Sequence, residues 1–121
     1  MTTKALDRFF GCVLALGGVR HAVGSYNFYK DQPMSLLWAL SGSLAVFLLA
    51  AINLLRAGRR GDQALAWISL CGCVAWIGFS ACFGLLIGNV LDFRPVINVV
   101  VTGILAIFSL RSALRSVRPE A

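Results

Sequence analysis

Arg20 and His21 put a cation beside an imidazole inside a long apolar stretch, and no other pair in the chain is chemically so exposed to question. Ionisable side chains are costly at depth in an apolar phase, so by default they mark a function. The stretch runs on to Tyr29, which places the pair about 12–14 Å inside the end of a helix. Counting equally far inward along the other apolar stretches reaches Ser41 and Ser43, then Ser80 to Cys82, then Asn98 to Thr102. A polar layer at one depth makes a ligand site, with Arg20, His21, Ser41, Ser80 and Thr102 as its expected members. No carboxylate lies at that depth, because Asp31 and Asp92 stand at the rim. An unpaired guanidinium there invites an anion, a lipid headgroup or a carbonyl-bearing molecule such as a quinone. A plainer alternative uses the same residues. If the first helix ends near Arg20, that arginine anchors the interface, with Tyr26, Phe28 and Tyr29 as an aromatic belt. A long arginine also snorkels outward.

Catalytic constellations are missing from the sequence. There is no HExxH, no paired acid within an apolar stretch and no Ser/His/Asp set. His21 is the only histidine, so general acid–base chemistry would rest on it alone and a bis-histidine haem within one chain is impossible. No catalytic residue, metal ligand or cofactor is assigned, and the expectation leans away from an enzyme. Cys71 and Cys73 point roughly 200° apart on a helix and cannot share a bond or a metal. Together with Cys12 and Cys82 they read as small apolar packing residues.

The elements that must carry these residues follow from composition. Of 121 residues, 59% are hydrophobic and 13% charged, with a mean hydropathy of +0.82. A soluble domain carries about 25% charge. Here the apolar residues fall in four blocks with nearly all the charge at their edges, as in a chain built for lipid. The net charge of +6 punctuates helices rather than paving a face, so it does not suggest nucleic acid. Four transmembrane helices are predicted, over about 6–29, 34–55, 63–91 and 95–114. They form an all-α bundle of two antiparallel hairpins in a single domain over 1–121. A cleaved signal peptide over the first block is disfavoured, because Arg20-His21 stands where a small-residue cleavage site is needed.

Orientation comes from Lys and Arg. Lys4, Arg8, Arg56, Arg59, Arg60, Arg111, Arg115 and Arg118 share one side, against Lys30, Arg94 and the deeper Arg20. Both termini should therefore be cytoplasmic, facing anionic inner-leaflet lipids. Arg111, Arg115 and Arg118 fall on one helix face and could hold such a lipid or a partner, although topology alone requires residues of this kind. Asp31-Gln32-Pro33 and Asp92-Phe93-Arg94-Pro95 open the second and fourth helices with an acidic cap and a first-turn proline. Gly72, Ser80, Gly84 and Gly88 recur at four-residue spacing around Trp76, and such a stripe lets helices pack closely, within the bundle or in a homo-oligomer. Asn53 suggests a helix-to-helix hydrogen bond. Trp38, Trp67 and Phe93 suggest interface anchors.

In outline the chain resembles the small four-helix bacterial membrane proteins grouped as DoxX-like. The resemblance rests on four short-looped spans and on the first helix, Gly11-Cys12-Val13-Leu14-Ala15-Leu16-Gly17-Gly18-Val19-Arg20-His21. It implies a multi-pass protein of the bacterial inner membrane. It admits either a quinone-linked oxidoreductase subunit, which would need a redox partner, or a non-enzymatic accessory module. It carries over no catalytic residue. Phe79 and Phe83, beside Ser80, also look a little like the phenylalanine pair of small fluoride channels. The threonine-rich break of those channels is here Ser80-Ala81-Cys82, and the one-sided charge opposes their antiparallel dimers. A non-enzymatic module binding a lipid-like, quinone-like or anionic ligand in the outer half of the bilayer is the expected function. The oxidoreductase subunit and the anion channel are its alternatives.

Overall fold

A computed structural model describes residues 2–115 and consists of four α-helices: α1 (Thr3–Tyr29), α2 (Pro33–Gly58), α3 (Gln63–Leu86) and α4 (Phe93–Leu114). Arg118 lies outside the described residues. Local chemistry sets most helix starts. Thr2 caps α1 through Ala5 N at 3.3 Å, Asp62 caps α3 through Leu65 N at 2.9 Å, and Asp92 caps α4 through Arg94 N at 3.0 Å. Pro33 occupies the first turn of α2, where its missing N–H costs nothing.

The apolar run of the third block predicts a helix to about Leu91, but α3 stops at Leu86. Gly88 adopts φ +71°, its N–H bonds Leu85 O at 3.0 Å, and Asn89 N bonds Gly84 O at 3.0 Å. These two bonds form a Schellman cap, which needs a left-handed residue that glycine supplies without strain. Gly88 is thus a turn residue. Gly84 and Gly72 do sit at close approaches: an added Cβ would meet Val90 Cα at 3.1 Å and Leu49 Cδ1 at 2.8 Å respectively. Gly11 and Gly18 do the same for α1, against Leu54 at 2.8 Å and Phe47 at 3.0 Å.

Packing is closest within the α1–α2 and α3–α4 hairpins. α1 also touches α4, α2 touches α3, and α1 and α3 stand diagonally opposite. Leu14, Val46, Leu49, Ala50, Cys73, Val101 and Leu105 form the apolar centre. Outside it, the usual distribution is inverted. Asp7, Asn53, Arg56, Ser69, Thr102 and Ser109 are buried, while Phe28, Trp38, Phe79, Leu86 and Leu91 are each more than 70% exposed. Water-soluble monomers do not present continuous apolar surface of this extent.

Among the described residues, α2, α3 and α4 are long and apolar enough to cross a membrane. The sequence predicts four such helices, and α1 does not meet the same measure. Lys4, Asp7, Arg8, Arg20 and His21 dilute its apolar run, leaving only Phe9 to Val19 uninterrupted.

Candidate functional site

Two polar regions occupy the bundle, one toward each end. The end carrying the start of α1, the α2–α3 turn and the end of α4 holds most of the basic residues and is called the basic end. Arg20 and His21 belong to the other half.

Neighbours on a helix differ by about 100° in direction, and that rotation separates Arg20 from His21. Arg20 turns toward α4, where its guanidinium lies over the Phe93 ring at 5.0 Å from the centroid. His21 turns toward α2, where Nδ1 pairs with the Ser43 hydroxyl at 2.7 Å. Of the other expected members, Ser41 is exposed and donates to Trp38 O at 2.6 Å on its own helix. Ser80 and Thr102 are buried, and the Thr102 hydroxyl has no hydrogen-bond partner. The contacts that join helices in this half are therefore His21 to Ser43, Trp76 Nε1 donating to Asn98 Oδ1 at 3.2 Å, and the cation–π contacts of Arg20 and Arg94. Arg20 pairs with no carboxylate among the described residues. Phe93 is available to it because Asp92 starts α4 there. Arg94 turns back on that cap, its Nε bonding Asp92 Oδ1 at 2.8 Å, and it lies 5.6 Å from the Phe83 ring. The Arg94 hydrogen bond holds the Asp92 carboxyl below its usual range.

The second region is absent from the sequence reading except for Asn53. The boundary of the second apolar block assigns Arg56 to a linker. The structure instead places it in the last turn of α2 with 1% of its surface exposed. Its two terminal nitrogens grip Asp7 of α1 at 2.9 and 2.6 Å, a bidentate pair. They also donate to Ser112 of α4 at 3.3 Å and to Asn53 at 3.3 Å. Asn53 Oδ1 accepts from Ser69 of α3 at 2.9 Å, and Ser69 and Ser109 share a further bond at 2.9 Å. Asn53 Nδ2 donates to Leu49 O at 3.0 Å and toward Cys73 Sγ at 3.4 Å. All four helices thus meet in one hydrogen-bonded cluster. A usable signal was in the sequence: Asn53 and Arg56, Ser69 and Cys73, and Ser109 and Ser112 each sit three or four apart, on one helix face.

The cluster ties the helices to one another through side chains of all four, while Asn53, Ser109 and Ser112 also donate to backbone carbonyls of their own helices. The opposite half is built differently, with an arginine held only by an aromatic ring. No protein-family model, curated protein or solved structure matches the chain. No group of three or more His, Cys, Asp or Glu side chains is placed to hold a metal among the described residues.

Proposed function

We propose that the protein is a multi-pass membrane module, with both termini in the bacterial cytoplasm, that binds an anionic or carbonyl-bearing lipid-like molecule in the outer half of the bilayer and performs no catalysis of its own. The observation that carries this reading is Arg20: a guanidinium on α1, set over Phe93 and paired with no carboxylate among the described residues. The ring offers a cation a partial partner, worth a few kcal/mol at most, and leaves the planar N–H fork without acceptors. A ligand oxygen supplies them. His21, bonded to Ser43, lies one helix face away, while Ser80 and Thr102 are buried without a bond to Arg20. Support for the membrane setting comes from the inverted distribution of polar and apolar residues. In this topology α1 is a fourth span, kept in the bundle by its packing on α2 and by the Asp7–Arg56 pair.

Mass spectrometry of what co-purifies in mild detergent tests the ligand. The wild-type protein should retain an anionic or carbonyl-bearing species. Arg20→Leu should lose it while inserting at least as well, because a charge has left the helix. Arg20→Lys should recover little of it, since a point charge lacks the fork. If lysine substitutes fully and the retained species is the same in all three proteins, Arg20 is an interface anchor and the pocket does not exist.

A further inference from the structure

At the basic end, the starts of α1 and the α2–α3 turn and the last turns of α4 surround an open cavity of about 270 Å³. Besides Arg56, four cations line it: Lys4 of α1, Arg60 of the turn, and Arg111 and Arg115 at the end of α4. Among the described residues Asp7 is the only carboxylate in the lining, and it is already consumed by Arg56. Thr2 and Ser112 add hydroxyls, and the first turn of α1 adds amides that no intrahelical carbonyl accepts.

Arg56 forms part of the same wall, and its donor inventory is incomplete. A guanidinium has five N–H donors. Four are accounted for by Asp7, Ser112 and Asn53. The fifth, on Nε, is buried and has no acceptor among the described residues. Such an orphan donor is expensive beside water and polar groups that could have taken it.

We infer that this cavity is a binding site for a phosphate group. Arginine forks and a helix N-terminus match the oxygens of phosphate in number and geometry. Four cations around one opening, without a carboxylate partner among the described residues, favour a multiply charged anion over a halide. With the basic end in the cytoplasm, the opening lies at the level of the inner-leaflet headgroups, so the phosphate can belong to a lipid or be free in solution. The site is independent of whatever Arg20 binds in the other half.

The test uses the full chain in neutral detergent, with two probes. One is inorganic phosphate, compared with chloride at equal ionic strength by thermal unfolding. The other is phosphatidic acid in phosphatidylcholine vesicles, compared with phosphatidylcholine alone by lipid retention in native mass spectrometry. Arg60→Gln with Arg111→Gln removes two exposed cations and leaves the Asp7–Arg56 pair untouched. Lys4→Gln with Arg115→Gln removes the other two cations, from α1 and the end of α4. Either double variant should weaken binding by about tenfold or more. Retention of phosphatidic acid without a phosphate response identifies a headgroup site. Stabilisation by phosphate without selective lipid retention identifies a soluble phosphate. Equal retention of both lipids by all three proteins, with phosphate acting no differently from chloride, overturns the inference.

Discussion

Asp7→Ala should destabilise the bundle by about 3–5 kcal/mol, the cost of stranding a buried charge whose partner has been removed. Arg56 is 1% exposed and lies 2.6 Å from the Asp7 carboxylate. With Asp7 gone, Ser112 and Asn53 remain as neutral partners and cannot offset a full charge. Desolvation dominates this interaction, so removing both charges costs less than removing one. Asp7→Leu combined with Arg56→Met should therefore recover most of the lost stability. Reversible unfolding in mixed micelles with rising denaturing detergent reads all three variants. A pair that contributes only at a solvated surface would give less than about 1 kcal/mol for Asp7→Ala and nothing to recover.

Asn53→Leu is expected to cost about 2–3 kcal/mol, because one buried side chain serves four others, Arg56, Ser69, Cys73 and Ser109. Its Oδ1 accepts from Ser69 at 2.9 Å and from Arg56 at 3.3 Å, and its Nδ2 reaches Cys73 at 3.4 Å. Leucine fills similar volume, so the loss reports unmet hydrogen bonds rather than a cavity. Ser109→Ala should be milder, near the ~0.6 kcal/mol typical of one interhelical bond in lipid, since Ser69 keeps Asn53. The double variant Asn53→Leu with Ser69→Ala should cost less than the sum of its parts, as both remove one shared bond. Additive losses in the same unfolding assay would show that the cluster is a set of independent contacts.

Much of the fold is legible in the residues themselves. Asp92 and Pro33 are helix-start chemistry that acts within one turn, so local spacing finds it. The expected acidic cap of α2 is not made: Gln32, not Asp31, holds that position and makes no side-chain cap bond. The end of α3 is not legible in hydropathy, because Leu86, Ile87, Val90 and Leu91 stay apolar through a turn that Gly88 makes in backbone geometry. Charge position misleads at Arg56 for a related reason. Charges at block edges are ordinarily solvated, and only the return of α1 alongside α2 brings Asp7 to a residue 49 positions away. Arg20 and His21 are found by type and depth alone. Depth says nothing of direction, and helical rotation sends one to Phe93 and the other to Ser43.

The central claim is that α1 crosses the membrane as a fourth helix although its composition alone does not qualify it. Reporter insertion on either side of α1 tests this most directly. One reporter ahead of Thr3 and others within 59–61 and after Arg115 should all read cytoplasmic, while one within 30–32 should read periplasmic. Asp7→Ala should shift the first of these toward mixed signals, because the buried pair helps hold α1 in place. If the reporters ahead of Thr3 and within 30–32 read the same side in the wild-type protein, α1 lies along the surface and the four-span account is contradicted.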